Sequence, residues 1–435
     1  MAMKVEIISR ATIKPASPTP DHLRNFKICL LDELAPPSYV PILLFYSSAD
    51  FDTIYDCKAM SDKLKKSLSE TLVRFYPLCG KLKGNLFVEC NDEGALFVET
   101  KVNIAAEIAK NPETEMLYKL FPFDPYKVRP DGEKADGEAV ITGVQLNVFE
   151  CGSVGIGVCV SHKVADGATM ASFLNAWSAT ASGSDEKLAP NLDSAVLFPP
   201  KGIDIIKQSD IIRNEKIVTR RFEFDGKNLA NLKAKIVNGN PTRVEVVTAL
   251  IWKSAMETAR INSGKDMLPA SIATHLVNIR ERTNPPLPRH ALGNLWRLSL
   301  APYLDVKKQV ELQELVSLLR KSIRRIDSDY VSKLQGVNGL AKAIEPLQEL
   351  RQLASGGGVE VYTFSSWARF PLYEINFGWG KPARVCTITV PVRNCVILMG
   401  TKSGDGIEAW VTLTEKDMEK FERSQELLQF ISTSA

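Results

Sequence analysis

Val154-Gly155-Ile156-Gly157-Val158-Cys159-Val160-Ser161, followed by His162-Lys163-Val164-Ala165-Asp166-Gly167 and a run with Met170, Phe173, Leu174 and Trp177, decides how this chain is read. Val154, Ile156, Val158 and Val160 alternate with Gly155, Gly157, Cys159 and Ser161, the period of a half-buried β-strand. The apolar residues after Gly167 recur with helical spacing. A strand therefore runs into a short Asp-Gly turn and then into an amphipathic helix. The strand end presents His162 at the rim of a sheet, where ligands usually sit. Gly167 permits tight turning or the close approach of a ligand. The chain holds only 4 histidines, at 22, 162, 275 and 290. A histidine on an apolar strand is more often a hydrogen-bonded core residue than a functional one. The HxxxDG spacing points to chemistry without deciding it.

Upstream, Val5–Ile8 and Thr12-Ile13 read as a short strand broken by Pro15, Pro18 and Pro20. Tyr39–Tyr46 is apolar throughout and reads as a buried strand. Leu64, Leu68 and Leu72 recur every fourth residue, which predicts a helix from about Ser61 to Arg74. The stretch from Asn85 to Glu99 reads as a hairpin turning at Asn91-Asp92-Glu93-Gly94. A further strand is expected over Val140–Val148. Downstream, Pro190, Pro199, Pro200 and Gly202 predict an exposed crossover between domains. The second half then alternates strands near Val218–Phe224, Ser271–Val277, Leu298–Leu300, Val385–Val390, Val396–Met399 and Ile407–Val411 with helices over Leu229–Ile236, Arg243–Arg260 and Val310–Arg325. Mixed elements in both halves predict two layered α/β domains, 1–190 and 216–435, joined by a 191–215 linker.

Composition narrows the partners. Among 435 residues, 54 are Lys or Arg and 51 are Asp or Glu, so the net charge is only +3. Such balance gives no general reason for nucleic-acid or membrane binding. The 8 cysteines form no CxxC pair and no zinc spacing. Several lie in apolar runs, so buried reduced thiols and no metal site are expected. The first residues lack the apolar core of a signal peptide, and no apolar run nears the ~20 residues needed to span a bilayer. A cytoplasmic monomer is expected. Thr242 and Glu245 have the spacing of a capping box opening the 243–260 helix. That helix start reads as an ordinary cap or, with Arg243 and Lys253 nearby, as a phosphate site.

A second cluster, Asn376-Phe377-Gly378-Trp379-Gly380-Lys381-Pro382, is by itself a Gly/Pro turn with two anchoring aromatics. Taken with HxxxDG, it resembles the DFGWG segment of the plant BAHD acyltransferases, at about that family's separation. Phe75-Tyr76-Pro77-Leu78-Cys79-Gly80-Lys81-Leu82 is similar to the family's YPLAGRL segment. Val277-Asn278-Ile279-Arg280-Glu281-Arg282 with Gly293-Asn294 is similar to VNxRxR…GN, and Ser365-Ser366-Trp367 to TSW. The ordered matches span the chain, and the opening Ile13-Lys14-Pro15 with Ser17-Pro18-Thr19-Pro20 resembles the branch of alkaloid and terpenoid acetyltransferases.

The resemblance implies a two-domain α/β fold like chloramphenicol acetyltransferase, with mixed sheets and an interdomain solvent channel. It also implies that residues 373–401 or so cross back to the first domain's sheet. It implies an acyl-CoA co-substrate, acetyl-CoA in this branch, and a small alcohol acceptor. His162 would act as general base, with no acyl-enzyme and no permanently bound cofactor. An imidazole with pKa near 6.5 suits that task at pH 7. Asp166 invites a dyad with His162, whereas the resemblance implies a structural pairing with Arg280. Ser365 and Trp367 are candidate donors to the oxyanion, and Thr242, Arg243 and Lys253 candidates for the CoA nucleotide. Gly167, Gly378 and Trp379 are expected to support the site. Asn376 replaces the family's aspartate, keeping shape and hydrogen bonding but losing charge. Amide formation from an amine, a non-catalytic role and a thioesterase-like hydrolysis are the competing readings.

Overall fold

A computed structural model of the protein describes residues 3–51, 56–103, 114–127, 140–185, 187–205 and 216–432. The alternating stretch Val154–Ser161 forms a strand, β8, with all 8 residues buried. The half-buried reading is therefore corrected. The alternation records side-chain size, because both faces of this strand are covered. A Cβ on Gly157 would collide with the carbonyl of Leu120, so glycine here permits a close approach of chain to sheet. Beside β8 lies β3 (Tyr39–Tyr46), equally buried, with Leu43 opposite Gly157.

The chain divides into two units. The first comprises Met1–Ile211, Pro288–Leu295 and Pro371–Ile388. Its main sheet runs β1 (Val5–Ile13), β6 (Ala95–Val102), β7 (Thr142–Phe149), β8, β3 and β13 (Arg384–Cys386). β6 and β7 are parallel and the other pairs antiparallel. A small sheet of β2 (Asn25–Lys27), β5 (Phe87–Glu89) and β4 (Lys81–Lys83) stands apart. The expected hairpin over 85–99 is therefore not formed, since β5 and β6 belong to different sheets. Asp92 takes a left-handed φ of 58° and accepts from the Thr19 amide (3.0 Å) and hydroxyl (2.6 Å), which turns the chain toward β1. The helices Cys57–Leu72 and Gly167–Ser182 pack together; Trp177 Nε1 donates to Ser67 Oγ at 3.0 Å.

The described part of the crossover is tied to this unit. Leu30 donates to the Phe198 carbonyl (2.9 Å), and Gly202 to the Glu33 carboxylate (2.6 Å). Residues 206–215 of the expected linker lie outside the described residues. The late return is shorter than the expected 373–401. Only β13 joins the first sheet, whereas Cys395–Gly400 is a strand of the second unit. The Asn376–Gly380 turn lies in the first unit.

The second unit comprises Ile212–Leu287, Trp296–Phe370 and Thr389–Ala435. Its sheet runs β11 (Trp296–Tyr303), β10 (Ser271–Asn278), β12 (Glu360–Ser366), β14 (Cys395–Gly400), β15 (Ile407–Thr414) and β9 (Ile217–Phe224). β12 is parallel to both its neighbours. The Arg243–Ser263 helix buries Val246, Leu250, Trp252 and Met256 in this unit's core. Helices Ser328–Gln335 and Gly339–Ala354 were not expected from the sequence, where Gly336, Gly339 and Pro346 interrupt the periodicity. All 8 cysteines are free thiols, with only Cys57 and Cys151 exposed. No described helix is long and apolar enough to cross a membrane.

Candidate active site around His162

At the end of β8 the chain turns because Val164 and Ala165 both donate to the Ser161 carbonyl, each at 3.1 Å. His162 is held through its backbone. Its N–H donates to the Ser38 carbonyl at 2.8 Å, and its own carbonyl accepts from Asn294 Nδ2 at 2.6 Å. Asn294 is fixed in turn by Asp32, whose Oδ1 accepts the Asn294 backbone N–H (2.7 Å) and Nδ2 (2.9 Å). Asp32 Oδ2 accepts from the Cys29 amide at 2.7 Å. Burial holds the Asp32 carboxyl above its usual range, opposed by these donors.

Asp166 caps the following helix. Its Oδ1 accepts the Thr169 N–H at 2.8 Å, and Oδ2 accepts the Leu295 N–H at 3.1 Å. The carboxylate therefore ties the HxxxDG turn to the 293–295 segment. Thr169 Oγ1 adds a second tie, accepting from the Gly293 amide and donating to its carbonyl at 3.2 Å each. Gly167 opens the helix.

The ring of His162 makes no hydrogen bond with a described residue. Nδ1 is sealed from solvent; Nε2 is not, so Nε2 is the nitrogen a reactant can reach. Burial pushes the imidazole below its usual value, and Lys163 acts the same way. The charge of Asp166, the residue's own carbonyl and the Asn294 side chain oppose that shift. The result is a neutral imidazole at pH 7, able to accept a proton at Nε2. His275 shows the contrasting core case. It is buried, bonded to Thr248 Oγ1 at 3.0 Å and stacked on Phe364 at 5.4 Å. Burial lowers its pKa from 6.5 to about 4. The folded state then binds fewer protons than the unfolded one as pH falls below 6.5. This residue's contribution, about 3 kcal/mol, is complete above pH 6.5 and lost toward pH 4. Urea titrations across that window should show a shallower pH slope for His275→Gln.

Several other expected residues belong to the second unit. Arg280 is buried on a short turn of the second unit, where its amide (3.0 Å) and Nη1 (3.3 Å) donate to Asn278 Oδ1. Ser365 and Trp367 lie at the end of β12, with Trp367 Nε1 donating to Ser365 Oγ at 3.1 Å. Trp367 thus spends its only side-chain donor, and the Ser365 hydroxyl keeps its own proton to give. Thr242 and Glu245 form the expected capping box, and Arg320 braces it at 3.0 Å from Glu245. Arg243 Nη1 donates to the Gly404 carbonyl at 2.7 Å, and Lys253 pairs with Glu426 at 2.7 Å.

Asn376 Oδ1 accepts the backbone N–H of Gly378 (2.7 Å) and Gly380 (3.1 Å). Both glycines need positive φ, 101° and 111°. That turn drives Phe377 and Trp379 against Tyr46, with Phe377 also against Trp177 at 4.8 Å. An acceptor oxygen is what the turn requires, and asparagine supplies it. Asn376→Asp should leave turnover within a few-fold. Asn376→Ala orphans two N–H groups and should cost about 2 kcal/mol in chemical denaturation.

Asp32, Ser38 and Asn294 carry the His162 backbone but were given no role from the sequence. Asn294 stood in the GN segment, and the only local sign of Asp32 is an acid pair, Asp32-Glu33, abutting the apolar run from Ile28 to Leu31. Asn294→Ala should lower kcat roughly 10–100-fold by releasing the His162 carbonyl, with stability down by about 1–3 kcal/mol. Steady-state kinetics and thermal melts of that variant test both numbers.

Comparison with known proteins bears on what this site does. A family model described as the Transferase family matches residues 3–428. The chain is 37% identical over 442 residues to stemmadenine O-acetyltransferase of Catharanthus roseus, covering 100% of this chain and 99% of the relative. It is 35% identical to limonoid 7-O-acetyltransferase of Citrus sinensis, covering 98% of each. Its fold matches the crystal structure of vinorine synthase with a TM-score of 0.85 at 35% identity, covering 99% of each chain. This is the mixed-sheet architecture related to chloramphenicol acetyltransferase. The chain belongs to the Transferase family of BAHD enzymes, and it is an acyltransferase.

Proposed function

We propose that the chain moves an acetyl group from acetyl-CoA to a hydroxyl of a plant alkaloid or terpenoid, with His162 Nε2 as general base. One observation carries this reading: a neutral imidazole, clamped through its backbone, keeps an Nε2 that bonds to no described residue and is not sealed from solvent. The names of the similar acetyltransferases support the donor and the acceptor class. An alcohol is a weak nucleophile because it holds its proton. Nε2 takes that proton while the oxygen attacks the thioester carbonyl. The tetrahedral oxyanion then collapses, the C–S bond breaks, and the imidazolium returns the proton to the CoA thiolate. No acyl-enzyme forms. Ser365, its oxygen held by Trp367, is proposed as the donor to the oxyanion. Arg243, beside the Thr242 cap, is proposed for the CoA phosphates; Lys253 must release Glu426 to join it.

The test is a mass-spectrometric screen of acyl-CoA donors against pooled plant alcohols and matched amines, with His162→Ala as control. An acetyl ester formed only by the wild type supports the reading. Amides in place of esters, or CoA released without an acylated product, overturn it.

A further inference from the structure

A groove in the second unit gathers positive charge that the fold does not spend. The Leu312–Arg324 helix closes on Arg320-Lys321-Ser322-Ile323-Arg324 and the cap residue Arg325, with no acid among these four cations. Arg320 and Arg324 stand one turn apart, as do Lys321 and Arg325, and like charges at that spacing repel. All four line an open groove of about 590 Å³, together with Ser317 and Asp327.

Cations in a last helical turn ordinarily complement the negative end of the helix dipole. Here another residue has that task. Arg282 Nη1 donates to the carbonyls of Ile323 (2.8 Å) and Ile326 at the helix end. Arg320 is also committed. Its Nε and Nη2 donate to the Glu245 carboxylate at 3.0 and 3.2 Å, and its guanidinium reaches the carbonyls of Gly239 and Asn240. Lys321, Arg324 and Arg325 are different. They are exposed, and none of the three side chains pairs with a described residue. The Asp327 carboxylate caps the next helix, accepting the Tyr330 N–H at 2.8 Å. With Arg320 balanced by Glu245, the groove keeps three cations against one carboxylate, a net charge of +2.

That surplus selects the guest. A carboxylate or a phosphodiester brings a single negative charge. A phosphate monoester brings about −1.5 to −2 at pH 7 and three acceptor oxygens. Guanidinium forks grip such oxygens through paired N–H groups. The volume lies within the ~300–1,000 Å³ of small-molecule pockets, so the phosphate belongs to a small molecule.

We propose that this groove binds the phosphate monoester group of a small molecule, held by Lys321, Arg324 and Arg325. Two sources offer that group: the 3′-phosphate of the acyl-CoA co-substrate, or a separate phosphorylated metabolite. Only the choice between them rests on the acyl-CoA reading.

Phenyl phosphate is the probe, read by phosphorus NMR titration and calorimetry on the full chain at low salt. It should bind wild type and His162→Ala alike, and less tightly as salt is raised. Methyl phenyl phosphate and benzoate, each with one charge, should bind about tenfold more weakly. The double variant Arg324→Gln/Arg325→Gln should weaken phenyl phosphate about tenfold, and Lys321→Gln about threefold. Both variants should melt at or slightly above the wild-type midpoint, because repelling pairs are removed. Lys321→Gln decides the matter if the double variant does not fold. Kinetics with acetyl-CoA and acetyl-3′-dephospho-CoA then separate the sources. A KM raised in the double variant for acetyl-CoA alone assigns the co-substrate's phosphate. A KM equal to wild type for both donors, with phenyl phosphate binding weakened, assigns a separate metabolite. The proposal is overturned if phenyl phosphate does not bind at millimolar concentration, if the variants bind it as wild type does, or if the singly charged probes bind equally well. Each of those results means a solvated basic face. Absence of acyl transfer in the separate screen would leave the binding result untouched.

Discussion

Replacing His162 with alanine lowers turnover by about 10²–10⁴-fold, the range for removal of a positioned general base, and leaves the melting midpoint nearly unchanged. The two halves of that expectation have separate causes. The ring contributes no hydrogen bond to a described residue, while the backbone anchors to Ser38 and Asn294 do not need the ring. Stability therefore stays. Activity falls because the described ionisable neighbours in the turn are committed elsewhere: Lys163 is buried and donates to the Glu33 carbonyl, and Asp166 accepts from two amides. Product formation by mass spectrometry and a thermal melt on the same preparation check both. A variant that keeps a tenth or more of wild-type turnover would place the base elsewhere. The pH profile offers a second readout. Burial depresses the imidazole, so the acid limb of kcat/KM should lie below 6.5, the ordinary histidine value. Activity is retained as pH falls toward that limb and lost through it, as the imidazole becomes protonated.

What could be read in advance follows the range of the interactions involved. β3 and β8 match their expected bounds because an apolar run closed by polar residues is a local signal. The Thr242–Glu245 box is likewise complete within four residues and formed as expected. Pairing partners are not local. Nothing between Phe87 and Val102 states that its two strands join different sheets, since the redirecting contact comes from Thr19. The same limit hid the support of the site. His162 stood out through HxxxDG, but the groups that hold its backbone are Ser38, Asp32 and Asn294, more than 120 residues distant. The family resemblance pointed at Asn294 without saying what it does. The second-unit helices after residue 325 were missed for another reason. Packing on neighbouring helices and the sheet overrode Gly336, Gly339 and Pro346, which a local reading takes as breaks.

Asp166→Ala is expected to cost about 2–5 kcal/mol, since it strands the buried N–H groups of Thr169 and Leu295 and removes a helix cap. Much of the variant's lost activity should then follow from a loosened turn. Asp166→Asn separates geometry from charge. The amide oxygen can keep the Thr169 N–H, as asparagine caps helices about as well as aspartate, but its NH₂ faces the Leu295 N–H and leaves that donor unmatched. The stability loss should be about half that of alanine. The charge is also gone. Because the Asp166 carboxylate raises the His162 pKa, its removal moves the acid limb of kcat/KM to lower pH. If Asp166 works through geometry, the plateau rate of Asp166→Asn stays within about tenfold of wild type. A dyad that depends on the carboxylate to stabilise the imidazolium would lose on the order of 10⁴-fold at the plateau, with the protein still folded. A well-folded Asp166→Asn enzyme with that larger loss would reject the structural role, and the carboxylate would then belong with the imidazole in the chemistry itself.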